Sequence, residues 1–159
     1  MLRCERADST VTWQRQERRH AAFFPLHDLT HFAVETELGF RHGFYGLIAE
    51  GWDIVDTSGK GARGPLPREA VTVERIVGAF DAQRAGGTPW AAEAFNEQAA
   101  LQATASGDAP PRPLSDAELD RVRARTLQLF SRWARLPAGG TLELTFDPGG
   151  AGTNPGDLT

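Results

Sequence analysis

Two histidines and a glutamate, His27, His31 and Glu50, interrupt the most apolar stretch of the chain, "FFPLHDLTHFAVETELGFRHGFYGLIAEGWDIV" (Phe23–Val55). Helical side chains four positions apart lie one turn apart on the same face. His27 and His31 therefore project together, and their stripe runs on into Val34, Glu35 and Leu38. A helix this apolar is mostly buried, so both imidazoles need partners. Two imidazoles one turn apart, with a carboxylate from a neighbouring helix, suit a divalent transition metal: Zn²⁺, Fe²⁺ or Mn²⁺. Three protein ligands leave a position open for water or substrate, as a catalytic site requires.

The connection between the helices selects the carboxylate. "GFRHG" (39–43) is short and bounded by glycines, and short links make successive helices antiparallel neighbours. With the turn centre between Phe40 and Arg41, His31 and Glu50 stand at the same level, and Asp28 and Asp53 form the next matched pair. The expected ligands are His27, His31 and Glu50. Asp28, Glu35 and Asp53 are expected as further ligands, as partners that orient an imidazole, or as the carboxylate that takes a proton from an activated water. A metal-dependent enzyme, hydrolytic or oxidative, is the leading reading. The alternative is a non-catalytic binding or interaction module, in which the same set is a buried network that fixes the packing of the helical hairpin. A third reading is a carrier of a small apolar ligand, with a pocket near Phe44, Trp52 and Glu50.

The elements that would position these residues are read from periodicity. "LRCER" and "TVTWQRQ" flank a polar turn and predict a hairpin over 2–16, with Val11 and Trp13 on its apolar face. "TLELTF" (141–146) alternates in the same way and predicts a strand that closes the sheet. Helix one starts at Pro25 and stops at Gly39. Helix two is expected over 43–56, and the Gly- and Pro-rich segment 57–67 is expected to be a loop. Helix three turns Val73, Ile76, Val77 and Phe80 inward, with Glu74, Arg75 and Asp81 outside. Thr88 and Pro89 open a fourth helix, which runs to about Ala105. "SDAE" (115–118) is a capping box that starts helix five, which runs to Leu136 with Phe130 and Trp133 inward. Its arginines pair with Glu118 and Asp120 and form a solvated face. The expected fold is α+β: a small antiparallel sheet from the N-terminal hairpin and the C-terminal strand, packed against about five helices. Residues 1–146 read as one domain and 147–159 as a disordered tail.

Composition narrows the function classes. With 17 Lys and Arg against 21 Asp and Glu, the net charge of -4 argues against a general nucleic-acid binder. Cys4 is the single cysteine, so no intrachain disulfide can form, and a cytoplasmic location fits. The polar start "MLRCERADST" lacks an apolar signal core, and no window reaches the roughly 18 apolar residues of a spanning helix. His20 and His42 read as solvent-facing, and Cys4, without a local His, as a small core residue. "TSGKGARG" (57–64) departs from the P-loop pattern and reads as a flexible loop, positioned to act as a lid.

"PLHDLTHFAVETELGF", followed by "GFYGLIAEGWD", resembles a family of small, uncharacterised bacterial proteins. The resemblance extends from "TVTWQRQ" to "TLELTF" and implies no activity. More narrowly, His27-Asp28-x-x-His31 resembles the HDxxH metal motif of an accessory protein family in ubiquinone biosynthesis. That family's downstream Glu falls here at Gly43, which cannot ligate; Glu50 is the nearest candidate. This resemblance implies a metal beside an apolar, aromatic or prenylated ligand.

Overall fold

The computed structural model describes residues 1–15, 23–59, 61 and 63–149. In chain order its elements are β1 (Leu2–Glu5), β2 (Val11–Gln14), α1 (Phe24–Leu38), α2 (Phe44–Ala49), a 3-10 turn at Asp56–Ser58, α3 (Arg68–Gly86), α4 (Ala92–Ala105) and α5 (Asp116–Ala134). The fold is α+β, as expected. Gln16 at the end of the predicted hairpin, His20, Lys60 in the glycine loop, and the tail from 150 onward lie outside the described residues.

α1 is the central element. Pro25 sits in its first turn, and Gly39, at φ +71°, ends it. Leu29 through Glu35 are buried without a break, so the middle of this helix meets water on no side. α3 and α5 cover it, α2 packs back onto it, and α4 packs on α3. The core joins Phe32, Val34, Val73, Val77, Phe80, Phe95, Leu119 and Leu129.

Several element expectations are corrected. The hairpin forms, with Arg3 opposite Trp13 and Cys4 opposite Thr12, but its faces are inverted. Thr12 is the buried side chain, while Val11 and Trp13 are 40% and 63% exposed. The reason is polar: the Thr12 hydroxyl accepts from the buried Ile54 N–H at 3.0 Å, a bond that no apolar side chain can supply. Residues 141–146 form no strand. Their alternation is real, yet Leu142, Leu144 and Phe146 pack on the helical core instead. The Phe146 ring lies 6.2 Å from Phe32 and 5.9 Å from Tyr45.

α2 ends at Ala49, well before Asp56. Gly51 adopts φ +96°, a conformation that stops a helix, and the Arg6 guanidinium donates to the carbonyls of Ile48 and Trp52. α4 starts later than expected because the preceding residues are tied elsewhere. Trp90 N–H donates to Gln83, Trp90 C=O accepts from Arg123, and Ala92 N–H donates to Asp116. The capping box of α5 is present, but the helix ends at Ala134 and Trp133 is 38% exposed. Arg123 and Arg125 are not wholly solvated: Arg123 reaches Gln83 and Trp90, and Arg125 lies over the Phe32 ring. Among the described residues, no helix is long and apolar enough to cross a membrane.

Candidate metal centre

His27 and His31 project from one face of α1 and meet carboxylates of α3, not of α2. Glu74 and Asp81 lie two helical turns apart and share a face of α3. They oppose the two histidines. One ligand atom each from His27, His31 and Glu74 lie within 4.8 Å of one another. His31 Nε2 stands 3.4 Å from Glu74 Oε1. His27 Nδ1 bonds Asp81 Oδ2 at 2.7 Å, which leaves His27 Nε2 as the nitrogen free to ligate. The Phe23 ring stacks on His27, and Phe44 tilts against His31, so the pair sits between apolar walls.

Each imidazole is backed by its own carboxyl group. Asp81 holds His27 and is itself anchored by Arg84, whose Nη2 donates to Asp81 Oδ1 at 2.7 Å. Glu35 stands behind His31, its Oε1 3.5 Å from Nδ1, and its side chain is completely buried. For His31 Nε2 to ligate, the ring proton must sit on Nδ1, and Glu35 is the acceptor that can hold it there. In the protein alone, His31 Nδ1 is buried with no hydrogen-bond partner. Glu35 also fixes the start of α2, accepting from Tyr45 N–H at 3.0 Å and Gly46 N–H at 3.2 Å. Gly43 is required beside it: a Cβ there would come within 2.4 Å of the Glu35 carboxyl carbon.

The protonation states follow from burial and neighbours. Burial holds the His31 imidazole down at about 4, so it is neutral and ready to ligate at neutral pH. Burial also draws the His27 imidazole down, but the hydrogen bond and charge of Asp81, with Glu74 and Asp28, carry it above its usual value. Burial pushes the Glu35 carboxyl up to about 8, against the pull of the backbone N–H donors of α2. Burial likewise raises Asp28 to about 6.

The structure thus brings together His27, His31 and, behind them, Glu35. The carboxylate that joins the histidines is Glu74, not Glu50. Glu50 caps the end of α2 and accepts from His42 Nδ1 at 2.6 Å. Asp53 pairs with Arg6 at 3.0 Å, with its side chain 60% exposed. Asp28 lies next to His27 in sequence but outside the three-ligand cluster. The antiparallel matching of His31 with Glu50 fails because Glu50, at the end of α2, turns its carboxylate back to His42. Glu74 and Asp81, expected on the outer face of α3, are turned toward α1. Their spacing was the available signal, since two carboxylates on one helical face can serve two buried imidazoles. Compared with protein-family models, with curated proteins and with solved structures, the chain matches none.

Proposed function

We propose that the protein is a metalloprotein that holds one divalent transition metal through His27, His31 and Glu74, and that it is a metal-dependent enzyme of the hydrolytic or oxidative class. One distance carries the reading. Two atoms each roughly 2.0–2.1 Å from a tetrahedral ion lie about 3.4 Å apart. His31 Nε2 and Glu74 Oε1 are 3.4 Å apart, long for a hydrogen bond but matched to a shared ion. Carboxyl groups behind both imidazoles supply the orienting shell that such ligands need. A divalent ion held in this way supplies Lewis acidity for hydrolysis or, as iron, the redox chemistry of sites with two histidines and one carboxylate. Asp81 orients the His27 imidazole, Glu35 stands where it would orient that of His31, Phe44 covers His31 on one side, and Glu74, 38% exposed, marks the side open to substrate.

The competing reading is a metal-free packing network, favoured by the short Asp81–His27 bond. Elemental mass spectrometry of untagged protein decides between them. Near-stoichiometric Zn, Fe or Mn that is lost in His27→Ala and His31→Ala supports the metal centre, and its identity selects hydrolytic or oxidative assays. A folded, metal-free protein that takes up none of these ions sinks it.

A further inference from the structure

An open groove of about 270 Å³ runs between α1, α3 and α5, walled by Phe80, Pro89, Leu127 and Phe130. It is not the pocket near Phe44 and Trp52 that the sequence suggested. Its polar lining is one-sided: Arg84 and Arg123 contribute cations, and among the described residues no Asp or Glu lines it. Arg84 Nη1, Arg123 Nε and the Thr126 hydroxyl are buried without partners. Two of the side-chain oxygens that line it are already engaged. Gln83 Oε1 accepts from Trp90 N–H at 3.0 Å and from Arg123 Nη2 at 2.8 Å, and the Thr30 hydroxyl donates to Leu26 C=O. Asp81 and Asp120 hold the guanidiniums by other nitrogens, at 2.7 Å and 3.2 Å.

The groove therefore has two guanidiniums with unpartnered N–H donors and no carboxylate among its described lining residues, which suits an anion. Its apolar walls call for an apolar body. Its volume falls just below the roughly 300 Å³ where pockets for drug-sized ligands begin. We propose that this groove binds a small organic carboxylate with a single-ring apolar body. The groove adjoins the candidate metal centre, because Asp81 holds both Arg84 and His27, but the proposal stands without a metal.

The test uses the full-length, metal-free protein, so its failure is distinct from failure of the metal reading. 4-Methylbenzoate is titrated against ¹⁵N-labelled protein, with 4-methylbenzamide as the uncharged control. The expected result is saturable shifts centred on Arg84, Arg123 and Leu127, with a dissociation constant on the order of 1 mM and weaker amide binding. Arg84→Met removes an anchor of Asp81 and can disturb the fold. Leu127, 68% exposed, tolerates charge and gives a cleaner pair. Leu127→Glu should weaken carboxylate binding and Leu127→Lys should strengthen it, separating the two by about fivefold at low salt. Equal binding of acid and amide, no saturable shifts in the groove, or indifference to the charge at 127 overturns the proposal.

Discussion

Glu35 is the residue at which the two readings of the histidine cluster part. Burial raises its carboxyl to about 8, so in the metal-free protein at neutral pH it is mostly protonated, and glutamine is a close mimic. Metal on His31 Nε2 would call instead for the carboxylate as proton acceptor at Nδ1. Glu35→Gln should therefore change metal-free stability by less than about 0.5 kcal/mol. It should weaken Zn²⁺ affinity about 10- to 100-fold, read by competition with a chromophoric chelator. Unchanged affinity in the variant would remove Glu35 from the metal centre. His31→Ala, which deletes the ligand itself, should abolish high-affinity binding.

α5 is the element whose start is most fully specified. The Ser115 side chain accepts from Glu118 N–H, and Glu118 reaches back to Ser115 N–H at 2.9 Å. Ser115→Ala should cost about 1 kcal/mol in chemical denaturation. Glu118 also bonds Arg112 at 2.6 Å, and that bond, with those from Ser115, holds its carboxyl down at about 2, below the ordinary 4.5. Because the folded value lies below the unfolded one, this contribution is complete above pH 4.5 and is lost as pH falls toward 2. Stability curves across that window should converge for wild type and Arg112→Gln at the acid end. Curves that stay parallel would show that Arg112 does not act through the Glu118 carboxylate. α2 shows the opposite case, an element ended by a distant residue: Arg6 of the hairpin takes the carbonyls that a longer helix would have used internally.

At the scale of the molecule, α1 is enclosed by helices and by the extended segment that ends at Phe146. Phe95, fully buried 4.5 Å from the Phe80 ring, belongs to the central core, and Phe95→Ala should cost about 3–5 kcal/mol. Phe146 is half-buried against Phe32 and Tyr45, so Phe146→Ala should cost less, about 1–2 kcal/mol. Urea denaturation measures both. A Phe146 variant as stable as wild type would mean that the C-terminal segment does not hold the core closed.

Local rules were enough for what local interactions decide. Pro25 and Gly39 bound α1, "SDAE" starts α5, the 27/31 spacing puts two imidazoles on one face, and the apolar run around them foretells a buried helix. Alternation in 141–146 correctly marked which side chains face the core, but not what they pack on, because a period of two is served equally by a sheet and by a groove on helices. The inverted hairpin depended on a bond between Thr12 and Ile54, far apart in sequence. The third ligand depended on the same kind of distant pairing. Glu50 was selected by symmetry about a turn, but its carboxylate pairs with His42 of the link instead. Packing of α3 on α1 then placed Glu74 and Asp81 before the histidines. Which carboxylate meets a buried imidazole is settled by helix packing across the core, and no spacing within one segment encodes that choice.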